Sequence, residues 1–262
     1  KDLHGAMLSS ANSINIGRLA PQVVYYFRSY ADLVKSGRIR VGDKVNYVVP
    51  TGNFGDILAG YFAKCMGLPV GRLVCASNAN DVLTEFISTG RYDRRRPFYK
   101  TVSPSMDILV SSNLERLLYL LSGDDKLIAD LMKQLSENGE YEVPADMLEK
   151  LHELFWAGFC DDEGAKTAIG KVWKDDHYLC DTHTAVAWDV AQQYKQANPE
   201  HNAVVVLSTA SPYKFPAAVL EGIGEKAEGD EFDVMEQLHK VTGVPVPKNL
   251  ADLAPARCVT AT

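Results

Sequence analysis

No Cys-x-x-Cys pair occurs among the five cysteines, Cys65, Cys75, Cys160, Cys180 and Cys258, which are scattered and odd in number. That spacing predicts neither a zinc centre nor a disulfide framework, and reduced thiols inside a cell are the simplest expectation. No apolar run approaches the roughly 20 residues that a membrane-crossing helix needs. Basic residues are outnumbered, 27 Lys and Arg against 34 Asp and Glu, for a net charge of −7. A surface of that sign gives no reason to expect nucleic acid or an anionic membrane as partner, so an anionic ligand must be held by a local site. The only basic cluster, Arg94-Arg95-Arg96, is expected to be a solvated loop. Two glycine fingerprints are missing as well. There is no GxxxxGK[ST] phosphate loop, and the GxGxxG spacing of dinucleotide-binding turns is absent. The opening Lys1-Asp2-Leu3-His4 is neither a signal nor a transit peptide, and it lacks an initiating Met. A cytoplasmic protein whose natural start lies upstream is the expectation.

What is present is ordinary globular material: 262 residues, 46% hydrophobic and 23% charged, enough for one large domain. Three short β-rich apolar runs, Val45 to Val49, Arg72 to Ala76 and Ala203 to Leu207, are each followed by turn residues, the pattern of buried parallel strands. Helical periodicity covers Pro21 to Val34, Asp56 to Met66, Asp81 to Ser88 and Thr184 to Gln196, and a tail helix is predicted over Glu231 to Val241. Strands alternating with helices predict an α/β fold with a mostly parallel sheet flanked by helices. Between about residues 111 and 154 the leucine spacing reads as amphipathic helices, predicting a helical insertion within a single domain spanning 1–262.

Two segments carry chemistry. Val48-Val49-Pro50-Thr51-Gly52-Asn53-Phe54-Gly55-Asp56 joins a strand to a helix. Gly52 and Gly55 are expected to supply positive φ and close backbone approach, and the helix start offers N–H groups and a dipole to an anion, most simply a phosphate monoester. Asp56 is awkward there, because a carboxylate repels phosphate. The bland alternative is a plain tight turn. The second segment, Asn12-Ser13-Ile14-Asn15 with Arg18, offers neutral donors and one guanidinium, a set suited to a phosphate dianion. Its bland alternative is a capped helix with a surface arginine. Other conspicuous residues have structural readings first: His183 as a satisfied helix-start histidine, Ser208 as structural, Asp107 and Asn113 as capping or orienting the next helix. Lys214 is divided between a phosphate contact and solvent.

Taken together, N-S-I-N-x-x-R and P-T-G-N-F-G-D resemble the threonine synthase family. Thr101-Val102-Ser103-Pro104-Ser105-Met106-Asp107-Ile108, Ser111-Ser112-Asn113-Leu114-Glu115-Arg116, Asp181-Thr182-His183-Thr184-Ala185-Val186-Ala187 and Ser208-Thr209-Ala210-Ser211-Pro212-Tyr213-Lys214-Phe215 resemble further stretches of that family. Thr182 departs from a family proline and Ser211 from a family histidine. The resemblance runs from about Leu3 to Asn249. It implies the pyridoxal 5'-phosphate (PLP) fold type II, like the β subunit of tryptophan synthase, and conversion of O-phosphohomoserine and water to threonine and phosphate. By that resemblance Gly52, Asn53, Phe54, Gly55 and Asp56 surround the cofactor phosphate. Thr209 meets the pyridine nitrogen, and Asn12, Ser13 and Arg18 hold the substrate phosphate.

The family's cofactor lysine lies in an S-F-K-D-like segment, and no such segment occurs here. Lys35, Lys44, Lys64, Lys100 and Lys214 sit in other contexts. No catalytic residue is therefore assigned, the lysine is expected upstream of residue 1, and the chain reads as a C-terminal portion inactive alone. Two alternatives remain: a related phospho-lyase releasing 2-oxobutyrate, and a lysine-less phosphate-binding relative. Monomer and homodimer are both left open.

Overall fold

Strands that are apolar on both faces are stable only between two covering layers. The computed structural model of the chain, which describes residues 14–199 and 202–253, has that arrangement. In chain order the elements are α1 (Ile16–Leu19), a 3₁₀ turn (Ala20–Gln22), α2 (Val23–Lys35), β1 (Val45–Pro50), α3 (Gly55–Cys65), β2 (Val70–Ser77), α4 (Val82–Thr89) and β3 (Arg91–Asp93). There follow α5 (Leu114–Ser122), α6 (Asp125–Asn138), β4 (Glu140–Glu142), α7 (Ala145–Leu154), β5 (Phe155–Phe159), α8 (Asp162–Asp176), α9 (Thr182–Ala197), β6 (Ala203–Val206), α10 (Pro216–Gly222), α11 (Glu231–Thr242) and α12 (Lys248–Ala251).

The sheet has the order β5-β2-β1-β6, and every pairing is parallel. Because side chains alternate along a strand, β1 feeds both layers. Val45, Tyr47 and Val49 pack toward α2–α7, while Val48 packs toward α8–α11. In β2, Leu73 and Cys75 take the first side and Val74 and Ala76 the second. The one polar member of β1, Asn46, is buried but satisfied: its Nδ2 donates to Tyr194 Oη (3.2 Å) and its Oδ1 accepts from the Arg72 N–H (2.8 Å). Four helices start on aspartates whose side chains cap the first turn. Asp124, Asp161, Asp181 and Asp230 each accept N–H groups of the first turn.

The structure adds strands that the sequence pattern does not reveal. β5 (Phe-Trp-Ala-Gly-Phe) follows α7 without a turn residue, so its apolar run merges with the helix before it. β3 and β4 hold one tyrosine each between charged residues, and they pair antiparallel across the chain. What brings them together is the stacking of Tyr92 on Tyr141, with ring centroids 5.2 Å apart and planes 9° from parallel. Residues 111–154 thus hold three helices and a strand. The arginine cluster lies in a loop where Arg94 and Arg95 are exposed and Arg96 is partly buried. Arg95 pairs with Asp93 and Glu140, and Arg96 bridges Asp81 and Glu85. No helix among the described residues is long and apolar enough to cross a membrane.

Candidate functional site

β1 and β6 end at the same edge of the sheet, where parallel α/β folds place their ligands. The chain leaves β1 still tied to β2, with the Thr51 N–H donating to the Ala76 carbonyl (2.8 Å). It then turns into α3 through Phe54, which sits at φ 60° in the left-handed region. Positive φ was expected at Gly52 and Gly55, and it falls instead on the residue between them. The cost of about 1–2 kcal/mol for a residue with a Cβ is offset by burying the Phe54 ring, 1% exposed and 5.7 Å from the Phe155 ring. Gly52 serves a different need. A Cβ there would lie 2.8 Å from the Ser105 carbonyl oxygen and 3.1 Å from the Met106 Cα. The glycine is required because backbone passes over backbone.

The loop is braced from outside. Ser111 Oγ donates to the Gly52 carbonyl (2.9 Å), and the Asn113 N–H and Nδ2 both donate to the Asn53 carbonyl (3.1 and 2.8 Å). Asn113 was expected to cap or orient the following helix. Its side chain makes no cap and reaches back to the glycine loop. Asp107 was given the same role, and it holds the loop before it: its carboxylate accepts from Asn78 Nδ2 (2.8 Å), Asn80 Nδ2 (3.1 Å), and the Thr101 N–H (3.0 Å) and hydroxyl (2.7 Å).

A cleft of about 590 Å³ opens over this turn, lined by residues 50–57 together with Arg18, Gln22, Ser105, Met106, His183, Thr209, Ala210 and Lys214. Gly52, Asn53, Phe54, Gly55, Asp56, Thr209 and Arg18 therefore meet in one place. Asn12 and Ser13 lie outside the described residues. Ser208 does not join them, since its hydroxyl bonds Tyr178 Oη (2.9 Å) and Thr184 Oγ1 (3.3 Å) in a neighbouring depression. α3 begins in the cleft without a side-chain cap, so the N–H groups of its first turn have no intrahelical acceptor and the positive end of its dipole is presented there. Gln22 was not singled out in the sequence. Its Oε1 is buried without a hydrogen-bond partner and lies 4.0 Å from where a Gly55 Cβ would be. A buried orphan acceptor costs about 1–3 kcal/mol, which marks a place where a ligand or water belongs.

Besides Arg18 and Lys214, His183 and Asp56 face the cleft. His183 is buried and held at both nitrogens: Nδ1 against Asp181 Oδ1 (3.0 Å), Nε2 accepting the Ser105 N–H (3.2 Å). Asp56 is half-buried and accepts the Tyr26 hydroxyl (3.2 Å). Burial raises its carboxyl to about 6, against a smaller lowering by the Tyr26 bond. At about 6 the carboxyl is still mostly ionised near neutral pH, so the repulsion expected between Asp56 and a phosphate persists there. A raised carboxyl pKa means that the fold favours the neutral form. The stability from Asp56 is thus full below its ordinary value of 3.8 and lost as pH rises through about 6. Asp56→Asn is expected to raise the melting temperature at pH 8, by the equivalent of about 1–2 kcal/mol, and to confer nothing at pH 3.5. Melting curves across that range check it, and an advantage independent of pH would contradict the assignment.

The chain is similar to known proteins over most of its length. Residues 184–256 match the family model described as threonine synthase, C-terminal. The chain is 44% identical over 222 residues to human threonine synthase-like 1, covering 84% of this chain and 30% of that protein. It is 40% identical to threonine synthase of Pseudomonas aeruginosa, covering 85% of this chain and 46% of the relative. Among solved structures, PLP-bound threonine synthase from Brucella melitensis superposes with a TM-score of 0.77 at 39% identity, over 87% of this chain and 48% of that one. The chain thus spans less than half the length of these relatives.

Proposed function

For a chain related to the C-terminal part of the threonine synthases, sharing their α/β fold, we propose a PLP-dependent role in converting O-phosphohomoserine and water to threonine and phosphate. The observation that carries this reading is the uncapped start of α3 in the cleft, behind a glycine turn that admits no Cβ at residue 52. A phosphate monoester fits there. Backbone N–H groups of residues 53–57 donate to its oxygens, while the orphaned Gln22 Oε1, an acceptor, calls for a donor such as a water in the same cleft. Bound there, PLP supplies an electron sink beside the α-carbon of an amino acid.

The remaining chemistry belongs to the chain's own residues. Thr209, just beyond β6, offers a hydroxyl to the pyridine nitrogen without forcing that nitrogen to stay protonated. Arg18 and Lys214 bring two cations to the same cleft. Arg18 holds the substrate phosphate with Asn12 and Ser13, and its guanidinium stabilises the charge that grows on the leaving phosphate. His183, engaged at both nitrogens, is a fixed wall of the site rather than a proton carrier. The amine that carries the cofactor in this chemistry is assigned to no residue of this chain. A cytoplasmic setting accords with the free thiols of Cys65, Cys75, Cys160 and Cys180.

The test is Arg18→Ala in the complete protein. Turnover of O-phosphohomoserine is expected to fall about a hundredfold, with the PLP absorbance band retained. Unchanged steady-state kinetics would remove Arg18 from the site. A second reading, a phospho-lyase releasing 2-oxobutyrate, would use the same cleft and the same phosphate contacts. Assaying the same reaction for threonine and for 2-oxobutyrate separates the two.

A further inference from the structure

One side chain stands between the glycine turn and the segment that carries Arg18. Arg116, half-buried in the first turn of α5, donates Nη1 to Asn113 Oδ1 (2.7 Å) and Nη2 to the Ile14 carbonyl (2.6 Å). Asn113 passes the connection on, because its N–H and Nδ2 both end on the Asn53 carbonyl. That carbonyl belongs to the peptide immediately before left-handed Phe54. At the other end, Ile14 precedes Asn15, whose Oδ1 accepts the Gly17 N–H (2.8 Å) and starts α1, the helix of Arg18. A continuous series of hydrogen bonds therefore runs from the turn that receives one phosphate to the segment that receives the other.

The arrangement needs an arginine. α1 has four residues, far below the length at which a helix holds itself in water. Its position must come from tertiary bonds. Leu19, 1% exposed, anchors its C-terminal end in the core, and Arg116 ties the backbone just before it. Both acceptors of Arg116 in these bonds are neutral and point from different elements, which suits the rigid fork of a guanidinium and not the single ammonium of lysine. Asn113 cannot span the distance itself, since its Nδ2 and Oδ1 are already engaged.

We propose that Arg116 is a positioning residue that sets the separation between the glycine turn and the Arg18 segment, so that the cleft grips phosphate groups at both. This rests on the phosphate reading of the cleft given above. Arg116 touches no ligand. It acts through Ile14 and Asn113, and its loss frees the Ile14 end of α1 while the glycine turn keeps its Ser111 and Asn113 bonds.

Hydrogen exchange by mass spectrometry on the complete protein tests this, with inorganic phosphate as the probe and peptides covering 14–22 and 52–60 read separately. Wild type is expected to be protected by phosphate in both. Arg116→Lys and Arg116→Ala are expected to keep protection in 52–60 and lose it in 14–22. Ligand-free exchange in 14–22 should rise about tenfold, as should the half-saturating phosphate concentration, the loss of one charge-assisted bond. The lysine variant keeps the charge and the fold, so rescue by lysine overturns the bridging role. Variants that behave like a protected wild type overturn Arg116 alone. A wild type protected in neither peptide overturns the phosphate reading and this proposal with it.

Discussion

Gly52→Val is expected to abolish PLP retention and to lower stability by about 3 kcal/mol. The added Cβ would be driven to 2.8 Å from the Ser105 carbonyl oxygen and 3.1 Å from the Met106 Cα, and both obstacles are backbone. Neither can retreat cheaply. The Ser105 N–H is bonded to buried His183, and the Asp107 carboxylate is tied to Asn78, Asn80 and Thr101. The strain must therefore move the glycine turn itself, whose carbonyls at Gly52 and Asn53 are held by Ser111 and Asn113, and the N–H groups of α3 lose their aim. Gly55→Ala is the control. Its Cβ would meet nothing nearer than Asn113 Nδ2 at 3.7 Å, so the fold is expected to keep its denaturation midpoint. Urea denaturation and the cofactor absorbance band are the readouts. A Gly52→Val protein with normal midpoint and normal band would refute the loop assignment.

Asp181→Ala is expected to cost about 3 kcal/mol, most of it from donors left without acceptors. Asp181 is fully buried, and its carboxylate serves four groups: the N–H of His183 (2.8 Å), the N–H of Thr184 (3.4 Å), the Thr184 hydroxyl, and His183 Nδ1 (3.0 Å). It thus starts α9 and fixes the ring that receives the Ser105 N–H. Removing it frays the helix start and releases the Ser105–Met106 segment that lies against Gly52. The loss should appear as a lower urea midpoint together with weaker PLP retention. Asp181→Asn keeps one oxygen for the N–H bonds and should fall between wild type and alanine. Equal midpoints for all three proteins would show that α9 is started by something else.

Much of this was readable in the chain before any fold was known. Val45 to Val49 and Ala203 to Leu207 announce buried parallel strands because two covered faces leave no polar alternation. Thr184 to Gln196 and Asp56 to Met66 announce helices because their apolar residues recur at helical spacing. The strand–turn–helix at 50–56 was visible because strand, glycines and helix are contiguous, so the signal is local. β3, β4 and β5 were not visible. Tyr92 and Tyr141 make a pair only after the chain has folded, and Phe155 to Phe159 becomes a strand only because the edge of β2 is there to receive it.

The same division holds within the site. Sequence by itself determined the α/β class and the family resemblance, and it suggested the two segments proposed for phosphate, because these depend on neighbours along the chain. Tertiary structure alone decided that positive φ falls on Phe54 rather than on a glycine, since a buried ring offsets a local strain. It decided that Gly52 is needed for a crossing backbone, and that Asn113 serves the loop instead of its own helix. It also left Gln22 Oε1 buried and facing the ligand cleft. Each of these is set by what lies across the fold, at distances in sequence that no local pattern encodes.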